Sequence, residues 1–143
     1  MQLNGEKFQH LRVGKATHPD YKTPDDVLIT QVEQVTDLGV MMESSAKFDA
    51  QVRSAALMGS RYAGWVLRVF ATRQERPMLT LFKSLVLSRL EYCSALWSPQ
   101  RLGLIRELEN VQRSFTRKIA GMQYHSYEER LRLLSLFSLE RSR

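Results

Sequence analysis

The run Leu81-Phe82-Lys83-Ser84-Leu85-Val86-Leu87-Ser88-Arg89-Leu90-Glu91-Tyr92-Cys93-Ser94-Ala95-Leu96-Trp97-Ser98-Pro99 is the longest apolar-rich stretch of the chain, and its periodicity decides the fold class. Leu79, Phe82, Val86, Leu90, Cys93 and Trp97 recur at steps of three and four, the spacing of one helix face. Leu81, Leu85, Leu87 and Leu96 put apolar surface on the flanks. A helix apolar nearly all round needs neighbours on several sides, so the stretch reads as a buried central helix. Ser98-Pro99 stops it, because proline has no N–H to continue the ladder and drives the preceding residue out of the helical region. Its start falls between residues 73 and 77. There Thr72-Arg73-Gln74-Glu75 has the Ser/Thr-x-x-Glu form of a capping box, and Pro77 suits a first turn.

Helical periodicity continues on both sides. Over residues 46–70, Val52, Ala56, Gly59, Ala63, Val66 and Phe70 line one side, with Ser45 or Asp49 as the N-terminal cap. The small residues Ala55, Ala56, Gly59, Ala63 and Gly64 let another helix approach closely, at a propensity cost of about 1 kcal/mol for each glycine. The predicted neighbour is the central helix. After Ser98-Pro99, which also supply a cap and a first residue, a strongly amphipathic helix carries Leu104, Leu108, Val111, Phe115 and Ile119 and ends at Gly121. Ser126-Tyr127-Glu128-Glu129 is a second capping box, opening a short helix through about Leu134, and Ser138 caps a last one.

Before residue 46 the language is that of strands. Residues 7–13 alternate loosely around Phe8, Leu11 and Val13 and close on Gly14, while residues 27–42 read as two short strands with a break at Gly39. Residues 18–26, with His18-Pro19-Asp20 and Pro24-Asp25-Asp26, are turn chemistry. The predicted fold class is therefore α+β, mainly α. Short strands and a hairpin occupy residues 1–45, and a bundle of about four helices occupies residues 46–143, cut short at Arg143.

With 43% hydrophobic and 25% charged residues the chain is globular rather than disordered. No run reaches the roughly 18 apolar residues of a membrane span, since Lys83 and Arg89 interrupt even the central helix. The N-terminus has no signal-peptide pattern. One cysteine, Cys93, excludes an internal disulfide or a multi-cysteine zinc site, fits an intracellular compartment and reads as a packing residue. A net charge of +6 permits a polyanionic partner.

Catalytic chemistry has no candidate. Phosphate-loop motifs are absent, and His10, His18 and His125 lack metal-ligand spacing. Asp25 and Asp26 read as a solvated turn, Asp37 as a strand end, and Glu128-Glu129 as a helix's first turn, where negative charge suits the dipole. No cofactor or metal is predicted. The basic residues carry more information: Arg106, Arg113 and Arg117 fall within roughly 40° of one another on a helical wheel, and Arg53, Arg61 and Arg68 within roughly 80°. Each stripe reads either as a solvated face or as a phosphate-contacting one.

Leu90-Glu91-Tyr92-Cys93, Leu96-Trp97-Ser98-Pro99 and Leu108-Glu109-x-Val111-Gln112-Arg113 resemble, in order and spacing, the region behind the palm in reverse transcriptases of non-LTR retrotransposons, the jockey-like and related LINE-type elements. Tyr127-Glu128-Glu129-Arg130-Leu131 and Ser138-Leu139-Glu140-Arg141 are similar to the next two signatures of that family. The segment from Asn4 to Gly14 looks like its strand downstream of the catalytic aspartates, and Asp37-Leu38-Gly39-Val40 resembles the primer-grip hairpin at the palm–thumb junction. The resemblance implies the end of a palm in residues 1–45 and a thumb-like region in residues 46–143. It also implies that the metal-binding aspartates of the RNA-directed DNA polymerase lie upstream, leaving this part without catalysis of its own.

Its role would be to grip a primer-template backbone through Leu38 and Gly39, through Arg106, Arg113 and Arg117, and through Arg53, Arg61 and Arg68. Arg89 would be a bystander. The implied partners are nucleic acid and the upstream palm and fingers of the parent polymerase. The competing reading is a free-standing helical protein-interaction module whose arginines only solubilise it.

Overall fold

The computed structural model describes residues 4–14, 17, 19–97, 99 and 101–141, and in them an N-terminal β region is followed by a helical one. Strand β1 (Gln9–Leu11) pairs in parallel with β2 (Thr30–Val32), Gln9 opposite Thr30 and Leu11 opposite Val32. Strands β3 (Gln34–Asp37) and β4 (Val40–Glu43) form a separate antiparallel hairpin in which Asp37 stands opposite Val40. The strand expected over residues 7–13 is confined to its middle, because Gly5–Lys7 winds into a 3-10 turn that Asn4 Oδ1 caps by accepting from Glu6 N–H at 3.1 Å. Residues 27–42, expected to hold two strands, contribute to three, since a bend at Glu33 separates β2 from β3. The turn around Asp25 and Asp26 is solvent-exposed as expected, with Asp26 at φ 62° and its carboxylate 2.8 Å from Lys22 Nζ. His18 lies outside the described residues.

Helix α1 (Asp49–Val69) starts later than the pattern predicts, because Ala46 takes a left-handed φ of 57°. Ser45 does not reach it: its hydroxyl accepts from Lys47 N–H at 3.4 Å, ahead of the helix. Asp49 is the first residue of α1, and the carboxylate of Glu43 on β4 accepts from Ala50 N–H at 3.5 Å. Thus a strand residue serves one of the N–H groups that a helix start leaves open. The chain divides into two compact units, residues up to Gln51 and residues from Val52 on.

In the second unit, Arg73 closes the far end of α1. Its guanidinium donates to the carbonyls of Phe70 (2.6 Å), Leu67 (2.7 Å) and Thr72 (2.8 Å), so a cation sits where the helix dipole is negative. The central helix runs unbroken from Glu75 to Glu91 as α2 (Glu75–Leu81), a π-helical stretch (Phe82–Leu87) and α3 (Ser88–Glu91). The Thr72–Glu75 capping box does not form. Gln74 is the N-cap and makes no side-chain capping bond, while Thr72 Oγ1 accepts only from Gln74 N–H at 3.3 Å.

The helix also fails to reach Ser98. Cys93 turns left-handed at φ 52°, and a separate turn, α4 (Ser94–Trp97), follows, tied back by Trp97 Nε1 donating to Tyr92 O at 2.7 Å. As a result Cys93 is exposed rather than packed. The buried stripe is Met78, Phe82, Val86 and Leu90, all fully covered. A step of four overshoots an α-turn of 3.6 residues, and the wider π-turn absorbs the overshoot and keeps the stripe in line.

Helix α5 (Leu102–Arg117) buries Leu104, Leu108, Val111 and Phe115, and Ile119 just beyond its end is buried too. Its N-cap is Arg101, without a capping side chain, and Ser98 lies outside the described residues. Phe115 stacks on Phe82 with ring centroids 4.8 Å apart. Gly121, at φ 82°, makes the turn that follows α5. Helix α6 (Tyr127–Leu133) forms the second capping box in full, Ser126 Oγ accepting from Glu129 N–H and the Glu129 carboxylate from Ser126 N–H. Beyond it, Ser138 Oγ accepts from Arg141 N–H at 3.3 Å over a single turn. Counting Glu75 to Glu91 as one, the described residues hold five helices.

Candidate nucleic-acid interface

Leu108, Val111, Phe115 and Ile119 anchor one side of α5 in the core, which turns Arg106, Arg113 and Arg117 to solvent on the other. Among the described residues no carboxylate pairs with any of the three. Arg113 is the most constrained, its guanidinium lying 4.7 Å from the centre of the Tyr127 ring.

That ring is held by a buried polar cluster. The Tyr127 hydroxyl donates to the Glu109 carboxylate, whose other oxygen accepts from Glu140 N–H at 3.3 Å. Gln112 Nε2 donates to Tyr127 Oη (3.1 Å) and to the carbonyl of Phe137 (2.9 Å). Arg130, itself buried, donates to Thr116 Oγ1 (3.2 Å) and to the carbonyls of His125 (2.9 Å) and Arg113 (3.2 Å). Burial, and then the charges of Arg117 and Arg113, lower the pKa of this guanidinium. Burial and the Glu109 bond push the Tyr127 phenol well above its ordinary value. Three stretches quoted for the resemblance, around Leu108–Arg113, Tyr127–Leu131 and Ser138–Arg141, thus meet in this one cluster. Its effect is to fix α6 and the following turn against α5, behind the arginine row.

The arginines of α1 do not stay together. Arg53 approaches Glu107 of α5 at 4.0 Å, whereas Arg61 and Arg68 line an open groove of about 510 Å³ with Tyr62, Trp65 and Leu85. Trp65 is 44% exposed and meets Phe70 edge to face at 6.1 Å. Arg89 lies 3.8 Å over the Tyr62 ring rather than standing alone. The two aromatics were legible as the interleaved spacing Arg61-Tyr62-x-x-Trp65-x-x-Arg68, a signal hidden when only charges are placed on the wheel.

Leu38 and Gly39 are the two central residues of the β3–β4 hairpin, at φ 47° and 81°. Gly39 serves the turn's backbone, and Leu38, 85% exposed, presents its side chain at the tip. They belong to the first unit and all six arginines to the second.

No protein-family model, curated protein or solved structure matches this chain. Among the described residues no three His, Cys, Asp or Glu side chains are grouped to hold a metal ion, and no helix is long and apolar enough to cross a membrane.

Proposed function

We propose that the chain is the primer-template-gripping, thumb-like part of a reverse transcriptase of the non-LTR retrotransposon type, holding nucleic acid by its backbone and doing no chemistry of its own. One observation carries this reading. Arg106, Arg113 and Arg117 stand exposed and, among the described residues, without carboxylate partners on a helix whose opposite face is locked into the core. Guanidinium groups on a rigid support suit phosphate, which they meet through paired, directed N–H donors. Arg53 of α1 and the Leu38–Gly39 hairpin would add contacts from other elements.

The test is salt-dependent binding of the whole chain to a primer-template duplex, with and without replacement of the three α5 arginines by alanine. Binding that is undetectable at about 50 mM salt, where phosphate contacts are strong, would leave the protein-interaction module as the better reading. The exposed Tyr124, Leu133 and Phe137 would then be its first candidate contacts.

A further inference from the structure

The groove lined by Arg61, Tyr62, Trp65, Arg68 and Leu85 differs in chemistry from the α5 arginine row. Among the described residues the α5 row meets one aromatic ring, that of Tyr127, which Arg113 already covers. The α1 groove combines a half-exposed indole with two guanidinium groups, and among the described residues no carboxylate lines it. Arg61 and Arg68 are seven residues apart, which at 1.5 Å rise sets them about 10 Å apart along the helix axis with Trp65 between them. Arg89, over the Tyr62 ring, brings a third positive charge beside the groove and occupies one face of that ring. Trp65, 44% exposed where Tyr62 is only partly so, is the more open aromatic surface of the groove. A double helix keeps its bases stacked inside and offers such a surface only backbone, whereas an unpaired base offers a π-face of the same size and polarity.

From this we infer that the α1 groove binds a single-stranded stretch of nucleic acid, with one unpaired base stacked on Trp65 and the flanking phosphates held by Arg61 and Arg68. The inference rests on the reading of the chain as nucleic-acid-binding, and it adds a site for the unpaired strand beside one for the duplex. Charge complementarity favours this occupant over a neutral peptide, and the planar indole favours a base over a purely anionic segment.

The chain itself provides the reporter. Of its two tryptophans, Trp97 is 1% exposed and Trp65 44%, so a ligand that changes the emission by contact does so at Trp65. Intact protein titrated with a short oligo(dT) at about 50 mM salt, where electrostatic contacts persist, should show quenching. A duplex of equal phosphate number, an abasic oligonucleotide and poly-glutamate should not. With affinity read independently from the anisotropy of a labelled oligo(dT), Trp65→Leu should weaken binding by about 5- to 150-fold, the range for losing one base–aromatic stack. Trp65→Phe should recover most of that loss, and both variants should keep duplex binding and the far-UV spectrum of the parent.

Quenching by the abasic strand or by poly-glutamate as strong as that by oligo(dT) would overturn the inference in favour of a simple anionic groove. Duplex binding with no change at Trp65 on adding oligo(dT) would overturn it while leaving the proposed function standing. Loss of both kinds of binding would reject the nucleic-acid reading as a whole.

Discussion

Gly59 of α1 faces Leu90 of α3 so closely that a Cβ added at position 59 would meet Leu90 Cδ2 at 2.6 Å, with Val111 of α5 next at 3.4 Å. Three helices meet at this point, and Leu90 is fully buried, so its side chain has little room to retreat. Gly59→Ala should therefore destabilise the helical unit by up to about 2 kcal/mol, since overpacking costs about 1 to 3 kcal/mol and helix propensity returns roughly 1 kcal/mol of it. Gly64, five residues on, has nothing within 4 Å of an added Cβ and borders an open groove of about 290 Å³ between α1 and α5. Gly64→Ala should leave stability unchanged or raise it by up to about 1 kcal/mol. Urea denaturation of the pair distinguishes close approach from helix propensity, and two equal shifts would mean the contact at Gly59 is misplaced.

Tyr127→Phe should cost about 1 to 3 kcal/mol, because it strips the buried Glu109 carboxylate of a donor and Gln112 of an acceptor. The pH dependence carries a second signature. Burial and Glu109 raise the Tyr127 pKa above its unfolded value near 10, so the fold favours the protonated phenol. The stability it contributes is fully present below about pH 10 and is lost as the pH climbs through the folded pKa. Wild-type stability should therefore fall more steeply above about pH 10 than that of Tyr127→Phe, with parallel curves below. Parallel curves throughout would mean the phenol is already solvated.

At Leu38 the backbone holds a non-glycine residue at φ 47°, a region that costs an ordinary side chain about 1 to 2 kcal/mol and that asparagine tolerates. Leu38→Asn should slow amide exchange across β3 and β4. On the proposed function the same change should weaken duplex binding, because the exposed leucine is what the turn presents at its tip. Faster exchange would show instead that the Leu38 side chain supports the hairpin by packing.

Replacing Arg106, Arg113 and Arg117 together by alanine should flatten the slope of log affinity against log salt by about 2.7 units on a B-form duplex, if each neutralises one phosphate. The loss should be similar for duplexes of different sequence, since phosphate contacts carry little sequence information. Arg132, exposed on α6, is a fitting control. Arg89 is not, because its stacking on Tyr62 ties it to the α1 groove. An unchanged slope would mean that the α5 row is only a solvated face.

Much of the helical unit was written in the sequence. The amphipathic face of α5, the capping box of α6 and the small-residue surface of α1 are local patterns: periodicity and capping depend on residues within one or two turns, which a single segment contains. The change from strands to helices was legible for the same reason. The exposed side of the Arg106, Arg113 and Arg117 row followed from the opposite apolar face, because one helix cannot bury both.

What the sequence could not settle depended on partners distant along the chain. The Thr72 box failed, and Glu43 on β4 came to serve the first turn of α1, because open N–H groups accept whichever oxygen the fold brings near. Cys93 left the apolar stripe once its left-handed φ ended the central helix, a backbone choice that periodicity does not encode. The α1 arginines parted because Glu107 stands beside Arg53, while Tyr62, Trp65 and Leu85 surround the other two. Glu109, Gln112, Tyr127 and Arg130 look like separate surface residues in the sequence, and only tertiary packing made them one buried cluster, since a polar side chain can be buried only where the fold supplies its hydrogen-bonding partner.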